Sequence, residues 1–204
     1  MQVRPLQKAK ISGTVTDVMK ARPYVHIDMK RFLAAILLLV PCAGVRAATF
    51  IVADDRTLVQ ASRAIVVATA GESHSRWAPG GWIETVTSMH VDEAIKGDVG
   101  ATIEVVELGG VVGDAGYMVA GSPRYAAGER VLLFLEKNDR GDFVTKNMTV
   151  GKFAFGRDAR GRRLLVRDSG EVVGWDLDGA PHRERTRDAD GFLTFVRATA
   201  RGEE

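Results

Sequence analysis

Cysteine is almost absent from this chain: Cys42 is the only one among 204 residues. It lies inside an apolar stretch near the N-terminus. If that stretch is removed, no disulfide, thiolate zinc site or cysteine nucleophile is possible in what remains. The chain is also without a long hydrophobic run. Phe32–Val40 is too short to cross a hydrocarbon layer, which takes about 20 residues. No HExxH, G-x-S-x-G or P-loop sequence occurs, and no internal repeat. The glycine stretch Gly109-Gly110-Val111-Val112-Gly113-Asp114-Ala115-Gly116 ends without Lys-Ser/Thr, so it reads as hairpin or loop glycines with positive φ.

The basic balance is equally thin. The formal net charge is +2, with 28 Lys/Arg and 26 Asp/Glu. Eight of those basic residues and only two of the acidic ones precede Ala48, leaving 20 basic against 24 acidic. A nucleic-acid role loses its electrostatic support, because phosphate binding needs a basic surface.

The first 47 residues explain the excess. Met29-Lys30-Arg31 is a short positive segment, Phe32–Val40 an apolar core, and Val45-Arg46-Ala47 a cleavage-like end. Residues 29–47 are therefore expected to be a signal peptide cut after Ala47, giving a periplasmic or secreted protein with no stable membrane insertion after cleavage. Leu39-Val40-Pro41-Cys42 only loosely matches a lipobox, since Pro41 stands where a small residue belongs. Residues 1–28 are expected to be a mis-assigned start or an extension.

Residues 48–204 read as a single, mainly β domain. Asp54-Asp55 introduce a short helix around Leu58 and Val59. Ala64–Ala70 and Val131–Leu135 are apolar runs expected as buried strands. Trp82–Val91 and Thr102–Leu108 alternate as half-buried strands. Gly71–Gly81 reads as a polar loop with Pro79-Gly80-Gly81 as its turn. Tyr117-Met118-Val119 is a possible short strand. Asn138–Asp142 is a hairpin turn before Phe143-Val144-Thr145. Val150–Phe155 and Arg163–Arg167 flank a hairpin tip, Glu171–Trp175 is a last strand, and Asp190–Ala200 is a short helix capped by Asp188 or Asp190. About eight short strands and a short C-terminal helix point to a small OB-like barrel or a sandwich.

Few groups suggest chemistry. His74, His90 and His182 are scattered; His90 and Asp92 share a strand face as a possible two-ligand pair. Ser62, Ser73, Ser75, Ser88, Ser122 and Ser169 sit in no nucleophile motif. Asp54-Asp55, Asp92-Glu93 and Asp176/Asp178 are carboxylate pairs without an evident protected setting. Arg157, Arg160, Arg162 and Arg163, followed by Arg183, Arg185 and Arg187, are interspersed with acids and read as a solvated surface. Trp77 and Trp82 are candidates for a contact patch. No catalytic, cofactor-binding or metal residue is assigned, and no cofactor is expected.

Three stretches carry a resemblance: Val91-Asp92-Glu93-Ala94-Ile95-Lys96-Gly97; Val119–Leu135, which contains Gly121-Ser122-Pro123-Arg124-Tyr125 and Gly128-Glu129-Arg130-Val131-Leu132-Leu133-Phe134-Leu135; and Gly151-Lys152-Phe153. Together they resemble a group of uncharacterised secreted bacterial β domains with a KG turn, a GExVLLFL strand and a following GKF. Tyr125 stands where that group has Phe. More distantly the layout is similar to the netrin/TIMP-type OB barrel. The resemblance covers roughly residues 57–167 and marks strands and turns. Inhibition through an N-terminal cysteine does not carry over to a mature chain without one. The reading that follows is an exported, non-enzymatic binding domain with a secreted or envelope protein as a possible partner. The alternatives are an envelope hydrolase with an unrecognised site and an accessory or inhibitor of a secreted metallopeptidase.

Overall fold

Two strands show how the sequence builds the core. In Ala64–Ala70 and Val131–Leu135 every residue is apolar except Thr69, so both faces of each strand must be covered. The computed structural model, which describes residues 48–52, 54–167, 172–175 and 186–203, covers them with two different layers. The described residues belong to one compact unit, Val45–Glu204.

The elements in chain order are β1 (Ala48–Ile51), α1 (Asp55–Ala61), β2 (Ala64–Trp77), β3 (Ile83–Lys96), β4 (Thr102–Leu108), β5 (Gly110–Val112) and β6 (Ala115–Tyr117). Then come β7 (Arg130–Lys137), β8 (Phe143–Thr145), a 3₁₀ turn at Met148–Gly151, β9 (Lys152–Arg157), β10 (Arg163–Arg167), β11 (Val172–Trp175), β12 (Arg187–Asp188) and α2 (Ala189–Arg201). The main sheet has the order β12-β10-β9-β7-β2-β3-β4-β8. β8 pairs with β4 and also returns to β7, so β2, β3, β4, β8 and β7 close into a ring of five strands. β5 and β6 form a separate hairpin, and β1 runs parallel to β11.

Alternation sorts the side chains. Ala64, Val66 and Ala68 of β2 and Val131, Leu133 and Leu135 of β7 point into the ring, where they meet Met89, Ile103 and Val105. Ile65, Val67, Leu132 and Phe134 point out of it, onto Phe153, Leu165 and the apolar sides of α1 and α2. The helices contribute Leu58, Val59, Phe192, Leu193 and Val196. Each such side chain, fully buried, contributes about 1.5–3 kcal/mol. Asp54 caps α1 by accepting from Thr57 N–H at 2.8 Å, and Asp188 caps α2 by accepting from Gly191 N–H at 2.8 Å.

The mainly β expectation and the C-terminal helix hold, and the arrangement is a closed ring rather than two stacked sheets. One expectation fails: Gly71–Trp77 is strand, not loop. β2 steps three residues, from Ala70 to Ser73, while β3 steps two, from Met89 to Thr87. The extra residue is a bulge, and it keeps the ladder going through polar residues that carry no hydrophobic signal. The hairpin at Gly110–Tyr117 also lies earlier than the strand expected at Tyr117–Val119. The leader segment, His182, Ser169, Asp176, Asp178, Arg183 and Arg185 lie outside the described residues. No helix among those residues is long and apolar enough to cross a membrane.

Candidate functional site

The interior of the ring changes character along its length. Its rungs across β2, β3 and β4 run Ala70–Met89–Ile103, then Ser73–Thr87–Val105, then Ser75–Thr85–Glu107. The first is apolar, the second carries two hydroxyls, and the third adds a carboxyl. The bulge after Ala70 makes this possible: without the extra residue, Ser73 and Ser75 would face the other side.

The polar end opens into a cleft of about 630 Å³. Ser73 Oγ and Thr87 Oγ1 share a hydrogen bond of 2.8 Å, and Ser75 Oγ and Thr85 Oγ1 one of 3.0 Å. Thr85 donates to the Gly109 carbonyl at 2.7 Å, and Ser75 Oγ accepts from Val111 N–H at 3.3 Å. These bonds fold the β5–β6 hairpin over the floor. Gly110, at φ +140°, is needed there, because a Cβ would sit 2.6 Å from Thr85 Oγ1 and closer still to Ser75 Oγ. On the far wall, Ser122 donates to the Leu108 carbonyl at 2.6 Å.

Glu107 is the one carboxyl in this lining among the described residues, and it is 7% exposed. Its Oε1 accepts from Thr145 N–H at 2.9 Å and from the Tyr125 hydroxyl at 3.4 Å. Tyr125 and Thr145 share a hydroxyl hydrogen bond of 2.5 Å. Its Oε2 takes no hydrogen bond among the described residues. Burial raises the carboxyl to about 7, against the opposing pull of the bonds from Thr145 and Tyr125. Burial also raises the Tyr125 hydroxyl well above its usual range, helped by the Glu107 charge.

A second cleft, of about 420 Å³, lies on the other side of Glu107, Leu108 and Ser122. Trp82 and Glu84 line it. Glu84 is buried but fully engaged, by Arg76 at 2.9 Å and Arg140 at 2.5 Å. Seven large apolar side chains are exposed among the described residues, and five belong to these clefts: Trp82, Leu108, Val111, Tyr117 and Met118, the last 76% exposed.

The residues singled out for chemistry take other roles. His74 stands opposite Val86 and His90 opposite Thr69, several rungs apart on exposed positions. No group of three His, Cys, Asp or Glu among the described residues converges as a metal would require. Asp92 is held by Arg130 at 3.0 Å, and Glu93 by Arg197 through two bonds of 2.7 Å. Asp54 is a helix cap, and Asp55 pairs with Arg167 and Arg187. At the β9–β10 tip Arg162 pairs with Asp158, and Arg163 with Asp190. Trp77 and Trp82 are both exposed at the end of the β2–β3 hairpin, where Trp77 pairs with Ile83; Trp82 lines the second cleft and Trp77 neither.

The residues that carry the resemblance are structural in this fold. Lys152 is buried and ion-pairs with Glu129 at 2.8 Å. It also donates to the Arg124 carbonyl at 2.5 Å and sits 4.9 Å from the Tyr125 ring centroid. The GKF lysine thus clamps the loop that delivers Tyr125 to Glu107. Glu107 belongs to no sequence motif, although its parity with Ile103 and Val105 places it on the ring-facing side of β4. No protein family, curated protein or solved structure matches the chain.

Proposed function

We propose that this chain is an exported, non-enzymatic binding domain whose ligand enters the cleft at the polar end of an OB-like ring. The observation that carries this is the concentration of exposed apolar side chains on that rim. Val111, Tyr117 and Met118 stand on or beside a hairpin over a floor of hydroxyls and a buried carboxyl. Ligand sites combine apolar contact area with a few placed polar groups in this way. Export rests on the Met29–Ala47 leader, and a secreted or envelope protein is the partner this compartment supplies.

The test is a crosslinking capture from envelope extract with the tagged full chain, processed by the producing cell, beside Met118→Asp and Val166→Asp. Val166 is also exposed, on β10, and lines neither cleft. Capture lost in the Met118 variant and kept in the Val166 variant supports the reading. Equal capture by all three removes the cleft from it.

A second reading, an envelope hydrolase, draws on Glu107, a buried carboxyl near neutrality of the kind that moves protons. It requires an activity that Glu107→Gln abolishes. A Glu107→Gln protein that keeps full activity on any substrate found removes it.

A further inference from the structure

The hydroxyls of the cleft are not equivalent, and the difference points to a ligand. Thr85 spends its proton on the Gly109 carbonyl, so the Ser75–Thr85 bond is donated by Ser75. Both protons of that rung hold the protein together. The next rung has two protons and one bond, between Ser73 and Thr87. One O–H there is left over, with free lone pairs beside it. Thr87 lies diagonally across from Glu107, because Thr85 pairs with Glu107 and Thr87 with Val105. Diagonal neighbours on adjacent strands are about 7–8 Å apart.

At the other corner is Glu107, nine-tenths buried, with Oε1 taken twice by protein donors and Oε2 by none among the described residues. A carboxylate held there has a strong acceptor on offer and little water to satisfy it. Arg124, the other charged residue of the lining among the described residues, is exposed, where solvent and salt weaken its field. The polar requirements are therefore a cation at one point and hydroxyl partners a sugar's width away. Tyr117 on the rim offers an aromatic face.

We propose that the cleft binds an amino sugar, or another hydroxylated organic ammonium. Its nitrogen donates to Glu107 Oε2 and its hydroxyls meet Ser73, the exposed member of the Ser73–Thr87 pair, whose partner Thr87 is buried behind it. This deepens the binding reading above and rests on it.

The probe is glucosamine, titrated into the full chain at pH 7.5 by calorimetry. N-acetylglucosamine, which keeps the hydroxyls and loses the charge, and cadaverine, which carries two ammonium groups and no hydroxyl, are the comparators. Saturable glucosamine binding, at least tenfold tighter than either comparator and weakened at least tenfold in both Glu107→Gln and Ser73→Ala, is the expected result. The Ser73 variant, at an exposed position, keeps the test valid should the Glu107 variant not fold. N-acetylglucosamine binding as tightly overturns the ionic contact. Cadaverine binding as tightly overturns the hydroxyl contact and assigns the site to bare cations such as a lysine side chain. No binding while capture stays sensitive to Met118 overturns the ligand class alone. No binding with capture insensitive to Met118 overturns both readings.

Discussion

Glu107 concentrates the electrostatic stress of the described residues. Its carboxyl, raised from 4.5 to about 7, stays protonated in the fold over a pH range where the unfolded chain has lost the proton. That proton uptake favours the folded state fully below about 4.5, and the benefit disappears as pH rises through about 7. The shift corresponds to roughly 3 kcal/mol. Asp54, Glu93 and Asp142 work in the opposite sense. Bonds from Thr57, Arg197 and Asn138 respectively lower them, so their contribution is lost as pH falls through the acid range. Thermal stability is therefore expected to peak near pH 5 and fall several degrees by pH 8.5. Glu107→Gln, which still accepts from Thr145 N–H, flattens the alkaline limb and melts higher than wild type at pH 8.5. Superimposable melting profiles for the two proteins would assign the alkaline limb to other groups. The signal for Glu107 was present in the sequence as a carboxyl in phase with Ile103 and Val105. That signal is weak, because a strand's last residues are ordinarily solvated. The Tyr125 loop that covers it comes from 18 residues downstream, a distance at which alternation says nothing.

Elements were legible where apolar periodicity or turn residues marked them, as in β4, β7, the β9–β10 hairpin and both helices. They were illegible where tertiary pairing alone sustains them. The second half of β2 reads Gly-Glu-Ser-His-Ser-Arg-Trp, with no apolar stripe, and is strand because β3 runs beside it for its whole length. The junction of β3 with α1 shows the same dependence. α1 has no basic residue in its last turn, and Lys96 at the end of β3 supplies the cation instead. Its ammonium donates to the carbonyls of Val59 at 2.9 Å and Gln60 at 2.8 Å. Lys96→Met is expected to cost about 1 kcal/mol in denaturant unfolding and to speed amide exchange within α1. Unchanged exchange there would show that α1 is held by Leu58 and Val59 alone. Gly97 next door has φ +84°, and a Cβ on it would lie 2.7 Å from the Arg63 carbonyl oxygen. Gly97→Ala should therefore cost roughly 2 kcal/mol, and a loss below about 0.5 kcal/mol would mean that the turn relaxes freely.

At the scale of the molecule, the sequence carried the class and not the closure. Nothing in Phe143-Val144-Thr145 announces that three residues join β4 to β7 and complete a ring, since both pairings are set by packing across the interior. Long-range ion pairs then fasten the outer elements to the ring and to one another, and they are of two kinds. Glu93 and Arg197 join β3 to α2 through two bonds of 2.7 Å, but both side chains are more than a third exposed. Asp55 joins α1 to β10 and β12 by accepting from Arg167 at 3.1 Å and Arg187 at 3.0 Å. Arg167 is almost wholly buried, and both guanidinium groups lie within 5 Å of the Phe153 ring centroid, at 4.7 and 4.9 Å. Water screens the first pair more than the second. Glu93→Gln is expected to cost less than about 1 kcal/mol, and 0.5 M salt should erase most of that. Asp55→Asn removes the carboxylate that bridges Arg167 and Arg187. It is expected to cost roughly 2 kcal/mol with a weaker dependence on salt, read from urea unfolding of each variant at low and high ionic strength. Equal and salt-sensitive losses at the two sites would mean that the Asp55 cluster is solvated in the native protein. The layer of helices would then rest on Phe153, Phe192 and their apolar neighbours without ionic fastening.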